Sequence, residues 1–306
     1  MSNKVRIGTR GSKLALWQAE YIADCLQKSG LETEIVIITT KGDLILDKTL
    51  SKIGSKGLFT AELEEALVKN QVHIAVHSAK DMPSSLSEGL EIISYTSREI
   101  VNDALISHKD VDLTQPITVG TSSTRRVAML KHFYPHIKIV DMRGNLQTRV
   151  KKMEEGACDA LLLAYAGAHR MEFGSLIKQK ISLEQFIPAV GQGTLAIEAH
   201  KNLDPEIRNK IIQATQCTEA TYQMKAETTF LRMLNGGCSV PVFALATTDH
   251  ENISITGGVI SLDGKKIIKE TAKGNKSAAE KIGHELYEKV KAKGGIELLN
   301  QIKSLK

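Results

Sequence analysis

Residues 117–126 read Ile117-Thr118-Val119-Gly120-Thr121-Ser122-Ser123-Thr124-Arg125-Arg126, "ITVGTSSTRR". A short β-branched run ends at a glycine, and a cluster of hydroxyl residues follows at the point where a helical pattern begins. Ser and Thr are favoured helix N-caps, so the stretch reads as strand, tight turn, helix. The same unit recurs on both sides of it. Upstream, "VRIGT" (5–9) is a strand, and 12–28 is a helix with Leu14, Trp17, Tyr21 and Cys25 on one face. "EIVIITT" (34–40) is the next strand, Phe59–Asn70 a helix and "VHIAVHS" (72–78) another strand. Downstream, "IKIVDMRG" (137–144) and "DALLLAYAG" (159–167) each lead into a helix. Near-continuous apolar strands separated by helices predict parallel βαβ units buried on both faces. The expected fold class is α/β, with two doubly wound domains.

Further along, "PAVGQGTLAIEAH" (188–200) supplies a strand after a glycine-rich loop and is expected to return to the first domain. The last ninety or so residues change character. A helix over 218–234 precedes three strand-like runs, "VFALATT", "ISITGGVI" and "KKIIKETA", with a hairpin signal at Asp263-Gly264 and a closing helix over 277–292. This predicts a small α+β domain with a three-stranded antiparallel sheet. The domain boundaries expected are 1–98 plus 193–215, then 99–192, then 216–306.

Composition narrows the function classes. A chain of 306 residues with 42% hydrophobic and 25% charged residues is ordinary for a globular protein of two or three domains. No apolar run approaches the roughly 18 residues of a membrane span, and the N-terminus has no secretory pattern. A cytoplasmic location and no membrane partner are therefore expected. Net charge is +5, and aromatic content is 4%. There is no basic tail with stacking aromatics, so no nucleic-acid partner is expected. Cys25, Cys158, Cys217 and Cys238 form no CxxC pair, which argues against a zinc site and a disulfide framework. Cys25 and Cys158 are expected to be core thiols. No metal is expected.

The arginines carry the clearest chemistry. Ser122, Ser123, Arg125 and Arg126 lie where a strand becomes a helix, a place where free N–H groups and the helix dipole suit an anion. Arg143 ends the next strand, Arg149 lies early in the following helix, and Arg170 follows "DALLLAYAG". Arg10 repeats the arrangement after the first strand. Open α/β sheets bind ligands beyond the carboxyl ends of their strands, and arginine forks bind carboxylates bidentately. Six arginines at such positions point to a polycarboxylate. "HSAKDMP" (77–83) places Ser78, Lys80 and Asp81 just past a strand, and Asp81 in a partly dry cleft would stabilise a developing cation and move protons. "IGSKGLF" (53–59) lacks the spacing of a phosphate loop and reads instead as a lid carrying Lys52 and Lys56. "AVGQG", which contains Gln192, is not a dinucleotide fingerprint. In "NGGCSVPV" (235–242), Gly236 and Gly237 clear the backbone before a thiol, Cys238, that has no evident disulfide partner.

Together these motifs resemble the porphobilinogen deaminase (hydroxymethylbilane synthase) family. The stretches that carry the resemblance are "IGTRGSKLALWQA", "TKGDLILD", "GSKGLFTAELEEAL", "IAVHSAKDMP", "VGTSSTRR", "MRGNLQTRV", "LLLAYAG", "PAVGQG" and "NGGCSVPV". They run in order over roughly residues 5–245, and the likeness is weak over the last sixty or so. Ser55 stands where the family usually has glycine and Thr124 where leucine is usual. "AGAHRM" (166–171) also departs from the common form around Arg170.

The resemblance implies two domains like the lobes of a periplasmic binding protein and a third that carries a cofactor. It implies a dipyrromethane cofactor held through a thioether to Cys238, with Asp81 as the catalytic carboxylate. It further implies that Arg10, Ser12, Ser78, Lys80, Thr121, Ser122, Ser123, Arg125, Arg126, Arg143, Arg149 and Arg170 bind carboxylates of cofactor or substrate. Lys52, Lys56 and Gln192 are assigned to the same site. The implied reaction joins four porphobilinogen molecules head-to-tail, with loss of ammonia, into hydroxymethylbilane in tetrapyrrole biosynthesis, and the implied state is a monomer. A bilobed anion receptor is the competing class. It predicts a secretory signal and leaves Cys238 without a role.

Overall fold

The computed structural model describes residues 4–44, 60–235 and 240–304. Lys52, Lys56, the lid expected over 53–59 and Cys238 lie outside the described residues. The chain runs through β1 (Lys4–Thr9), α1 (Lys13–Lys28), β2 (Glu32–Ile37), α2 (Lys41–Leu44), α3 (Ala61–Val68), β3 (Ile74–Ser78) and β4 (Leu90–Tyr95). It continues with β5 (Asp103–Ile106), β6 (Thr118–Gly120), α4 (Thr124–Phe133), β7 (Lys138–Val140), α5 (Leu146–Glu154), β8 (Ala160–Ala164), α6 (Tyr165–Arg170) and β9 (Ile177–Lys180). Then come β10 (Leu195–His200), α7 (Pro205–Thr215) and α8 (Thr218–Met233).

Two five-stranded sheets result, in the orders β2-β1-β3-β10-β4 and β7-β6-β8-β5-β9. Helices cover both faces of each. Ala19, Ile22 and Leu26 of α1 and Ile211 of α7 pack on one side of the first sheet, and Leu63, Ala66 and Leu67 of α3 on the other. In the second sheet, Ala128 and Met129 of α4 pack on one face, and Val150 and Met153 of α5 with Ala168 of α6 on the opposite one. Each fully buried Leu or Ile of this kind contributes about 1.5–3 kcal/mol. Each sheet with its helices is a lobe.

The all-parallel expectation needs correcting. β1, β2 and β3 are parallel, but β10 runs antiparallel to both β3 and β4. In the second sheet β5 runs antiparallel to both β8 and β9. Parallel neighbours need a helical crossover between them. β5 and β10 are instead the strands that arrive directly from the other lobe, so they enter against the direction of their neighbours.

A second correction concerns α1. Ser12 caps it, its Oγ accepting from Ala15 N at 3.4 Å. The face turned to the core is Gln18, Ala19, Ile22, Ala23 and Leu26, while Tyr21 is exposed and Trp17 and Cys25 are half-buried. Small Ala19 and Ala23 let the helix approach the sheet closely, and the bulky stripe is left on the outer side. Cys25 is thus not a core thiol, whereas Cys158 is buried.

The remaining chain forms β11 (Val242–Asp249), β12 (Asn252–Ile260) and β13 (Ile267–Asn275), an antiparallel sheet in that order. α9 (Ala279–Ala292) and α10 (Gly295–Ser304) close it, and α8 shares their core with the sheet. The β12–β13 turn docks on the second lobe, where Gly264 O lies 2.6 Å from His132 Nδ1 and Lys131 Nζ donates to Leu262 O at 3.1 Å. α7 and α10 were not foreseen. Asp204-Pro205 announces the first, an N-cap followed by proline at the first helical position. Gly294, at φ +85°, separates the second from α9.

Candidate active site

β3 delivers the chain to Ser78, after which a single 3-10 turn, Ala79–Asp81, lifts Asp81 to an exposed position. That turn is clamped by the glycine-rich loop before β10. Ala79 N donates to Thr194 O at 2.9 Å. A Cβ on Gly191 (φ +75°) would fall 2.8 Å from the Ala79 carbonyl carbon and 2.9 Å from Lys80 N. Only glycine combines that backbone angle with that approach. Glycines in "AVGQG" therefore shape the Asp81 turn.

Around Asp81 lies an excess of positive charge. Lys80 is half-buried, and burial lowers its pKa; Arg126 and Arg125 push the same way, opposed by Asp81 and Asp103. Arg149 donates from Nε to Gly144 O at 2.7 Å. Burial, with Arg126 and Arg143 adding to it, brings its guanidinium down to about 10, and Asp81 and Asp141 act against that shift. Arg149 therefore stays cationic at neutral pH. Arg143 Nε donates to Asp141 at 3.1 Å.

Arg125 and Arg126 sit deeper than the strand-end reading placed them. Both are buried, and both grip Asp103, itself 0% exposed. Arg125 Nη2 reaches Asp103 Oδ2 at 2.7 Å, and Arg126 Nη2 reaches Oδ1 at 2.8 Å. Arg125 Nη1 also donates to Ile187 O at 2.9 Å, while its buried Nε has no hydrogen-bond partner among the described residues. Gln192, 1% exposed, donates to Asp103 Oδ1 at 3.0 Å and to Val101 O at 2.7 Å. Two guanidiniums thus grip one buried carboxylate, with the Lys80 ammonium near both Asp81 and Asp103. The excess of positive charge among the described residues suits a bound polyanion.

The hydroxyls have local duties. Ser78 Oγ accepts from Gln18 Nε2 at 2.8 Å, Ser122 Oγ donates to Met142 O, and Ser123 caps α4. Thr121, 2% exposed, accepts from Ser123 N at 3.4 Å, and Arg10 follows β1 half-buried. Ser78, Lys80 and Arg170 line one small cleft between α1, β3 and α6. The structure thus brings Lys80, Asp81, Arg125, Arg126, Arg143 and Arg149 into one electrostatic cluster, with Arg170 at its edge. Among the described residues no group of three or more His, Cys, Asp or Glu side chains is placed to hold a metal ion.

Sequence reasoning missed Asp103, Arg98 and Glu227. Asp103 had a signal, an acid leading the otherwise apolar four-residue run "DALI". Arg98 and Glu227 are 129 residues apart and carried none.

Residues 5–209 match the family model described as porphobilinogen deaminase, dipyromethane cofactor binding domain, and residues 221–292 match the one described as porphobilinogen deaminase, C-terminal domain. The chain belongs to the porphobilinogen deaminase family. It is 57% identical over 307 residues to the porphobilinogen deaminase of Cytophaga hutchinsonii, covering 99% of this chain and 98% of that one. It is 49% identical to that of Desulfosudis oleivorans, with 98% of each chain covered. The family likeness thus extends into the C-terminal sixty or so residues, where the motifs alone were weak. Among solved structures, a nutrient binding protein from Burkholderia cenocepacia bound to methionine is 14% identical, with 70% of this chain and 92% of that one covered and a TM-score of 0.44. Likeness at that level decides nothing about ligand or mechanism.

Proposed function

We propose that the chain is a hydroxymethylbilane synthase, joining four porphobilinogen molecules head-to-tail, with release of ammonia, into the linear tetrapyrrole. The observation that carries this reading is the surplus of cations around Asp81 among the described residues: Lys80, Arg125, Arg126, Arg143 and Arg149 against Asp81, Asp103 and Asp141. Porphobilinogen bears an acetate and a propionate on each ring, so every added unit brings two more negative charges. A site with this imbalance grows more favourably occupied as the product lengthens.

A dipyrromethane linked by a thioether to Cys238 is the second part of the proposal. The donor set fits such a group, because its four carboxylates match the surplus of cations and an Arg125 Nε that has no hydrogen-bond partner among the described residues. Arg10, Ser12, Ser78, Lys80, Thr121, Ser122, Ser123, Arg125, Arg126, Arg143, Arg149 and Arg170 would hold it and the incoming substrate. Lys52, Lys56 and Gln192 belong to the same proposed set. When bound, the group supplies a nucleophilic pyrrole α-carbon and a permanent primer.

Asp81 performs the proton work. Its carboxylate faces the substrate's pyrrole nitrogen, where positive charge develops as the protonated aminomethyl group leaves as ammonia. It then accepts the proton released from the ring α-carbon once the new carbon–carbon bond has formed. Lys80 and Arg149 place positive charge beside Asp81. The proposed units are 1–98 plus 193–215, 99–192 and 216–306. With the family likeness come two further parts of the reading, a monomeric enzyme and a cytoplasmic location.

Two measurements test it. The mass of the intact active protein should exceed that of its sequence by two linked pyrrole units, mapped by peptide mass spectrometry to Cys238; active protein with an unmodified Cys238 refutes the attachment. Asp81→Asn should keep the adduct and the fold but lower porphobilinogen turnover by about two to four orders of magnitude. A near-normal rate removes Asp81 from the chemistry.

A further inference from the structure

We propose that Arg170 acts as a positioning residue, latching the second lobe onto α1 of the first through the ring of Trp17. α6, which ends in Arg170, follows β8 of the second sheet, whereas Trp17 lies on α1 of the first. The guanidinium carbon stands 5.4 Å from the Trp17 ring centroid. Tyr21 backs the indole from one turn further along, with centroids 5.6 Å apart and planes within 6°. Guanidinium, indole and phenol thus lie together at the contact between α1 and α6. Indole is the best aromatic partner for a cation, and the flat arginine fork stacks where a lysine would not.

The same guanidinium holds a third element. Nη2 donates to Gly193 O at 2.9 Å, an oxygen that also accepts from Glu99 N at 3.1 Å. Gly193 has φ +94°, and a Cβ there would fall 2.7 Å from Glu99 O, so this close approach requires glycine. Residues 96–102 and 188–194 are the two places where the chain passes between the sheets. Arg170 therefore ties α6 both to α1 and to one of these crossings. Burial lowers its pKa, while nearby Glu99 and Tyr21 oppose that.

This arrangement explains the outer stripe of α1. Trp17 and Tyr21 stay off the core because their rings are used between lobes. It also sets the width of the cleft, whose walls are Gln18, Ser78 and Lys80 on one side and Ala164, Gly167 and Arg170 on the other. The kinetic consequence rests on the proposed polymerisation; the latch itself does not.

Trp17 is the single tryptophan of the chain, so its emission reports on the latch in the unlabelled holoenzyme. Arg170→Leu should shift Trp17 emission to the red and increase its quenching by acrylamide. With porphobilinogen as substrate, Arg170→Leu and Trp17→Leu should each lower kcat/KM about 3- to 10-fold. The double variant should lose no more than the worse single one, since both remove one contact. Trp17→Phe, which keeps a ring, should recover most of the loss. Unchanged emission in Arg170→Leu, losses that multiply in the double variant, or a wild-type rate for Trp17→Leu would overturn the latch. Absence of turnover by the wild-type holoenzyme would instead defeat the proposed reaction and leave the emission result standing.

Discussion

Asp103 shows how one side chain determines the character of its neighbours. Burial by itself would raise its carboxyl. The charges of Arg125 and Arg126, helped by hydrogen bonds from Arg126 and Gln192, override that and hold it well below the usual carboxylate range. A carboxyl lowered on folding stabilises the native state above the ordinary aspartate range, and the contribution fades as pH falls below it. Asp103→Asn should leave two buried guanidiniums without a counter-charge and destabilise the protein by about 3–5 kcal/mol in urea unfolding at neutral pH. The gap between the variant and the wild type should narrow in acid. This residue was only half-legible beforehand. An acid at the head of an apolar strand is unusual, but nothing local says that arginines 22 and 23 positions later will meet it.

At the scale of elements, the loop between the last strand of one lobe and β10 does more than connect. Gly30 and Gly191 have similar left-handed angles, φ +81° and +75°, but very different surroundings. Among the described residues nothing lies within 4 Å of a Cβ on Gly30, while one on Gly191 meets backbone of the Asp81 turn. Gly30→Ala should therefore lose only the conformational term, about 1 kcal/mol. Gly191→Ala should lose about 1–3 kcal/mol more and slow porphobilinogen turnover as well. Thermal unfolding of the two variants side by side, with activity assays, checks both statements. Strand and helix existence was well marked in the sequence by apolar runs and caps such as Ser12 and Ser123. Strand direction was not, because β5 and β10 have the same apolar texture as their parallel neighbours. The buried face of α1 was also misread, since two alanines outrank a tryptophan when close packing decides.

Across the whole molecule, Glu227 on α8 joins both segments that run between the lobes to the C-terminal sheet. It is 0% exposed and receives Arg98 Nη2 at 3.1 Å, Gly191 N at 2.8 Å and Ala246 N at 2.7 Å. One carboxylate thereby fastens the segment after β4, the loop before β10 and strand β11. Glu227→Gln should cost about 3–5 kcal/mol by stranding Arg98, and limited proteolysis should then reach the segments it ties. Replacing both partners, Arg98→Leu with Glu227→Leu, should recover part of that loss in a denaturant titration, because no unpaired charge stays behind.

Local pattern alone determined the α/β class and the antiparallel C-terminal sheet, and it marked most of the cations that the structure gathers around Asp81. These are properties of short windows, where periodicity, caps and the residue types at strand ends are all visible. Tertiary structure decided which of those cations turn inward onto Asp103, which stay around Asp81, and that Arg170 stacks on Trp17. Burial and charge pairing depend on separations of a few ångströms between residues 22 to 153 positions apart, and no window of sequence contains that distance.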